Sequence, residues 1–250
     1  MAELKGGTTG QILSKTSGTD MDFTWITPNP GDITGVTAGT GITGGGTSGD
    51  VTVSFDVANY GGGQYAAGKN KIINGDFGIW QRGTSFTATS GYSADRWYNE
   101  RNGTGATLTL SQQTFTPATA PVSGYEGTYY MRLNQSVAGT GGSYSIFAQK
   151  VEDVRTFAGQ TVTFSFWAKA SSTITLPDIE IYQDFGSGGS SGVQTSFQTS
   201  VSIGTTWTRY SYTKAVPSIS GKTIGTGSNA RFTFYLPNNS LFTLDIWGIS

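Results

Sequence analysis

The sequence predicts an all-β protein: an antiparallel β-sandwich that follows an extended Gly/Thr-rich region of short strands. Three observations carry this. Of 250 residues, 37 are glycine, while 12 tyrosines, 14 phenylalanines and six tryptophans supply bulky apolar surface. That mixture favours aromatic-filled strands joined by tight turns. Apolar residues recur with a period of two through the second part of the chain, as in half-buried strands. In the first part they are too sparse to bury a core.

Composition also bounds function. Charged residues make up 12% of the chain and the formal net charge is -1. No basic field exists to attract nucleic acid or an anionic membrane surface, so neither is an expected partner. No run of about 18 apolar residues occurs, so membrane insertion is not expected. The N-terminal residues lack the apolar stretch of a signal peptide. Synthesis in a cytoplasm is therefore expected. With no cysteine and no histidine, thiol nucleophiles, Ser-His-Asp catalysis and the usual zinc ligands are absent. Carboxylates remain, so a glycosidase-type pair stays open on composition alone.

The first element is the Gly/Thr-rich region, residues 1–60. Gly31-Asp32-Ile33-Thr34 returns as Gly49-Asp50-Val51-Thr52, on either side of Thr40-Gly41-Ile42-Thr43-Gly44-Gly45-Gly46. Each β-branched run is bounded by glycine turns and reads as a brief strand. Such a segment is either a disordered linker, or is ordered by copies of itself or by a partner. Residues 61–70, carrying Gly61-Gly62-Gly63, read as a linker.

The second element is a sandwich over residues 71–250. Val162, Phe164, Phe166 and Ala168 share one face of Thr161–Ala168. Phe232, Phe234 and Leu236 share a face of Arg231–Leu236, and Phe242, Leu244 and Ile246 share a face of Leu241–Trp247. Further strands are expected at Ala106–Leu110, Tyr129–Asn134, Ser143–Lys150, Ile179–Gln183, Val193–Ile203 and Trp207–Lys214. Their spacing, with Gly/Ser/Pro turns between, argues for antiparallel sheets. Val151–Phe157 alone reads as a helical turn.

Two stretches resemble known proteins. Lys5-Gly6-Gly7-Thr8-Thr9-Gly10-Gln11-Ile12-Leu13-Ser14-Lys15, then Phe23-Thr24-Trp25 and Gly31-Asp32-Ile33-Thr34-Gly35-Val36, resembles repeat segments of phage tail-fibre and related virion proteins. The resemblance implies a homotrimer, or docking of residues 1–60 onto other tail or capsid proteins, and a place on the virion surface. The run Asn74-Gly75-Asp76-Phe77-Gly78-Ile79-Trp80-Gln81-Arg82-Gly83-Thr84-Ser85-Phe86, with Tyr92–Trp97, Phe164–Lys169, Trp207–Tyr210 and Leu244–Trp247, resembles carbohydrate-binding-module-like jelly rolls of phage tail proteins. It implies a jelly-roll sandwich that contacts a host surface polysaccharide without being an enzyme. A decoration protein without a ligand, or a polysaccharide depolymerase, are the alternative readings.

Parity places candidate sugar-stacking residues. With Phe164 and Phe166 inward, Trp167 points outward; Tyr235 and Trp247 point out by the same argument, and Tyr182 is a fourth candidate. Aromatic faces stack on sugar rings while polar neighbours hold the hydroxyls. Each is equally open to packing beneath a long loop, the N-terminal region or a neighbouring subunit. Similar modules hold a structural calcium, the sole cofactor implied. By that resemblance Asp76 and Asp245 are ligands, with Asn74 beside them. The alternative is that Asp76 caps a turn and Asp245 faces solvent, since calcium takes six to eight oxygens. Asp95-Arg96-Trp97, near Asp76 and Arg82, reads as a buried bidentate pair under aromatics. Gly186–Gly192 reads as a loop tip open to variable surface contacts. Glu100, Glu126, Glu152, Asp153, Asp178, Glu180 and Asp184 are scattered; Asp178, Glu180 and Asp184 share one face of a strand if no bulge intervenes, as a solvated acidic face. No catalytic motif accompanies them.

Overall fold

A computed structural model describes residues 6–28, 35–55, 70–87 and 90–250. The chain divides into two compact units, Met1–Lys69 and Asn70–Ser250. The Gly31–Thr34 repeat and the Gly61–Gly63 loop lie outside the described residues.

In the first unit, strands β1 (Ile12–Lys15) and β2 (Phe23–Ile26) form an antiparallel hairpin in which Ile12 faces Ile26 and Leu13 faces Trp25. The Trp25 ring lies on the Gly6–Gly7 backbone, where a Cβ on Gly7 would come within 2.6 Å of it. Strands β3 (Val36–Thr37), β4 (Ile42–Gly46) and β5 (Val53–Phe55) make a small meander. Ile42 pairs with Phe55, yet the two remain 44% and 54% exposed. Among the described residues these short strands also leave Ile12 and Phe23 exposed.

The second unit is a jelly-roll β-sandwich. Its strands are β6 (Ser85–Thr87), β7 (Ser90–Tyr92), β8 (Trp97–Thr104), β9 (Thr107–Thr114), β10 (Tyr129–Val137), β11 (Thr140–Glu152), β12 (Thr161–Ala170), β13 (Ile174–Asp184), β14 (Val193–Ile203), β15 (Thr208–Ala215), β16 (Asn229–Tyr235) and β17 (Phe242–Trp247). The first sheet runs β15-β12-β17-β10-β9-β6, the second β14-β13-β16-β11-β8-β7. Every pairing is antiparallel. From β10 onward the chain passes repeatedly from one sheet to the other, except that β13 and β14 form a hairpin within the second sheet.

The core is the aromatic seam between the layers. Phe164 and Phe166 of β12 meet Phe232 and Phe234 of β16 at centroid distances of 4.8–5.4 Å. At the other end Trp97 stacks on Phe147 at 4.9 Å, with Phe77 at 5.5 Å from Trp97. Such tilted and edge-on contacts add about 0.5–1.5 kcal/mol per pair beyond area burial. The strands expected from periodicity are present, with Phe164, Phe166 and Ala168 buried on one face and Phe242, Leu244 and Ile246 on another. The turn expected near Val151–Phe157 is a single 3-10 turn, Val154–Thr156.

Strands β6, β7 and β8 were not expected. Strand β8 reads WYNERNGT, with too few apolar residues to show a period of two. Its pattern is legible only once Trp97 is seen in the core and Tyr98 and Glu100 on the opposite face. The Gly186–Gly192 loop is also not a free tip. Ser187 bridges Thr226, Gly225 N donates to Phe185 O at 2.7 Å, and a Cβ on Gly225 would come within 2.0 Å of Ser187 O. Its glycines let two loops pack backbone to backbone.

Candidate functional site

Strand alternation builds the site on the outer face of the second sheet. On β13, Ile179, Ile181 and Gln183 are buried inward, so Asp178, Glu180, Tyr182 and Asp184 point outward together, as parity required. The bulge in the β13–β14 ladder falls between the Ile179 and Glu180 pairings and leaves this alternation intact. Register then sets their neighbours. Glu180 lies beside Thr233, Tyr182 beside Arg231 and Asp184 beside Asn229. One strand further, Thr233 faces Ala148, Arg231 faces Lys150 and Tyr235 faces Ile146. Beyond that, Ile146 pairs with Glu100 and Ala148 with Tyr98.

These side chains form a groove of about 410 Å³, lined by Glu100, Tyr144, Tyr182, Gln194, Arg231 and Tyr235 among others. Its floor is a small apolar layer of Ile146 and Ala148, against which Tyr98, Tyr144 and Tyr235 pack. Above it runs a polar network. The Tyr144 hydroxyl donates to Glu100 Oε1 at 2.6 Å. Gln194 Nε2 donates to the Tyr235 hydroxyl at 3.3 Å, which donates to Glu180 Oε1 at 3.2 Å. Arg231 Nη1 donates to the Tyr98 hydroxyl at 3.4 Å, its Nη2 lies 4.0 Å from Glu180 Oε1, and its guanidinium covers the Tyr182 ring at 4.8 Å.

Glu180 is not a solvated acid: it is 1% exposed. Burial raises its carboxyl above the usual range, opposed by the Arg231 charge and the Tyr235 hydroxyl. Burial likewise pushes the Tyr98 and Tyr235 hydroxyls up to about 12, so both stay protonated and able to donate. The groove thus combines aromatic faces with donors and acceptors fixed before any ligand arrives.

The four expected stacking residues do not share a surface. Tyr182 and Tyr235 line this groove, whereas Trp167 and Trp247 are register partners on the outer face of the first sheet. There the packing alternative holds for Trp247. It is 5% exposed, with Phe115 edge-on at 5.6 Å and Tyr125 tilted at 5.7 Å. The loop between β9 and β10 supplies Tyr125 and Gly127, the latter so close that a Cβ would sit 3.0 Å from the indole. Trp167 is half-buried at the margin of the same cluster, beside Arg209.

The residues implied for calcium do not fit that ion. Both oxygens of Asp245 accept from Arg132, at 2.7 and 2.8 Å, and Asp245 is buried rather than turned to solvent. Asp76 Oδ1 accepts from Gly78 N, a turn cap, and the Asn74 amide is spent on Ile79 and Asp95 backbone groups. Among the described residues no three acidic, histidine or cysteine side chains form a metal cluster. The expected Asp95–Arg96 pair is corrected as well. Arg96 binds Glu152 bidentately at 2.6 and 2.7 Å, while Asp95 accepts from Gln81 N. Asp95 and Arg96 sit in the tight turn between β7 and β8, closed by Trp97 N donating to Ala94 O, and Arg96 takes a left-handed φ of 73°, so the turn rather than a strand face directs the two side chains to different partners.

Sequence reading missed Arg231, Gln194 and Tyr144 as site residues. Only Arg231 carried a signal: a charge two residues ahead of Thr233 on the outer parity of a core strand.

No family model and no curated protein matches the chain. Among solved structures, a CBM4 carbohydrate-binding module is similar at 16% identity and TM-score 0.39, over 72% of this chain and 97% of that one. The CBM22-1 xylan-binding domain of Paenibacillus barcinonensis Xyn10C is similar at 9% identity and TM-score 0.40, over 66% and 89%. The enzymatically active domain of bacteriophage CBA120 tailspike protein 4 is similar at 17% identity and TM-score 0.42, over 72% of this chain but 21% of that domain.

Proposed function

We propose that residues 70–250 form a non-enzymatic glycan-contacting module, with the sugar chain lying in the groove on the second sheet. The observation that carries this reading is the Tyr182–Arg231 pair beside Tyr235, Gln194 and Glu100. It offers aromatic and guanidinium surface to a sugar ring and convergent polar groups for hydroxyls, on a rigid sheet. Two features support a binding role over hydrolysis. Glu180 is buried and bonded to Tyr235, and Glu100 is bonded to Tyr144, so neither carboxylate stands free beside a glycosidic bond. Affinity electrophoresis of the intact protein in polysaccharide-containing gels tests the reading. Retardation is expected, and Tyr182→Ala is expected to abolish it without lowering the melting temperature by more than a few degrees. Absence of retardation in every gel, or full retention by Tyr182→Ala, overturns it. New reducing ends on incubation would instead make the protein a depolymerase.

The Gly/Thr-rich unit, in this reading, attaches the module to a phage virion appendage as a homotrimer docked on other tail or capsid proteins. Its order resembles tail-fibre repeats, and Ile12, Phe23, Ile42, Val53 and Phe55 are exposed on strands too short to bury them. Light scattering on the full chain is expected to give a trimer. A monomer at micromolar concentration overturns self-assembly.

A further inference from the structure

A second pocket opens on the same outer face, where β7, β8 and β11 approach the Gly227–Asn229 segment. Its volume is about 340 Å³, and Arg82, Tyr92, Arg96, Lys150, Glu152 and Asn229 contribute to its lining. We propose that this pocket binds the carboxylate-bearing unit of an acidic polysaccharide whose neighbouring units occupy the groove. The proposal rests on the glycan reading and names its substrate class.

Charge is the first argument. Three cations and one carboxylate converge here, in a chain whose formal net charge is -1. Arg96 is occupied by Glu152. Among the described residues, Arg82 and Lys150 form no ion pair. Their heads are instead held over aromatic rings, Arg82 at 5.3 Å from the Tyr92 centroid and Lys150 at 5.1 Å from that of Tyr98. Nearby acids are already engaged: Asp184 accepts from Asn229, and Asp153 from Arg155. Two positioned cations without a carboxylate partner are a standing invitation to an anion.

Shape and continuity supply the second argument. Tyr92 is 50% exposed and tilted against Tyr98 at 5.7 Å, so aromatic surface remains open to solvent beside the cations. Lys150 and Arg231 are register partners on adjacent strands, about 4.8 Å apart by sheet geometry. Tyr98 touches both, through its ring and its hydroxyl. The pocket is therefore the next step along the groove rather than a separate patch. The groove is lined by Glu100, and its lining cation Arg231 is already engaged by the buried Glu180 at 4.0 Å and by the Tyr98 hydroxyl. A carboxylated unit is repelled there and accepted one step away, which fixes the register of a chain that mixes neutral and acidic sugars.

The test uses the full chain and carboxylated polysaccharides (polygalacturonate, alginate and hyaluronan), a neutral β-glucan and a single-stranded DNA oligonucleotide as probes in titration calorimetry. A carboxylated polymer is expected to bind about tenfold more tightly than the glucan at low salt, with the margin shrinking as salt rises. The double variant Arg82→Gln/Lys150→Gln is expected to lose that margin and keep glucan binding, with an unchanged melting temperature. Equal affinity for acidic and neutral polymers, or an unchanged margin in the variant, overturns the proposal while leaving the glycan reading intact. Oligonucleotide binding as tight as the best polyuronate overturns it too, because a nonspecific polyanion site would then explain the charge. Failure of every polysaccharide to bind overturns both.

Discussion

Arg132 on β10 and Asp245 on β17 are register partners joined by two parallel hydrogen bonds, Nε to Oδ1 at 2.7 Å and Nη2 to Oδ2 at 2.8 Å. Lys169 of the next strand approaches the same carboxylate at 3.8 Å, so one buried anion ties three central strands of the first sheet. Each oxygen of Asp245 thus accepts from one guanidinium nitrogen.

Asp245→Asn removes the buried anion and leaves Arg132 and Lys169, each about a third exposed and open to solvation. It is expected to destabilise the sandwich by about 1–3 kcal/mol, the scale of a hydrogen bond to a charged group, whereas the apolar double variant Arg132→Met/Asp245→Leu recovers most of that loss. Chemical denaturation in calcium and in EDTA checks it. The loss should be equal in the two buffers, and a loss seen only with calcium would restore Asp245 as a metal ligand.

Glu180 gives stability a pH signature. Its folded carboxyl titrates above the ordinary 4.5 because burial penalises the charged form. The folded state then holds the proton more tightly than the unfolded chain. The resulting stabilisation is complete below about pH 4.5 and disappears as pH rises through the raised folded value. Melting curves of wild type and Glu180→Gln, taken from about pH 4 to about pH 8, should therefore diverge, with wild type losing ground as pH increases. A constant difference across that range contradicts the buried acid.

Gly192 holds Tyr182 in the groove from behind. A Cβ there would come within 2.1 Å of the Tyr182 hydroxyl oxygen and 2.3 Å of its ring carbon. Gly192→Ala should push the ring off Arg231 and weaken glycan retention about tenfold. Since a loop side chain can swing outward, the stability cost is expected to stay near 1 kcal/mol or below. Unchanged retention in the alanine variant removes Tyr182 from the binding surface.

Much of the sandwich was legible in the sequence. The alternation Phe164, Phe166, Ala168 and the pair Phe232, Phe234 name the inward face directly, because a half-buried strand must repeat every second residue. The same rule correctly sent Tyr235, Trp167 and Trp247 outward. It failed on β8, whose outer residues Tyr98 and Glu100 belong to the groove and whose inner Asn99 breaks the apolar pattern.

What the sequence determined alone is local: which residues extend, which face of each strand is apolar, and which chemistries the missing histidine and cysteine forbid. What only the tertiary structure decided is adjacency. Register placed Arg231 between Lys150 and Tyr182, set the two tryptophans on the opposite sheet from the two tyrosines, and gave Asp245 to Arg132 rather than to Asp76. Parity is written into a single strand, but partnership depends on contacts between segments more than 130 residues apart, as between Tyr98 and Arg231 at a separation of 133, whose order follows from how two layers close over a shared core.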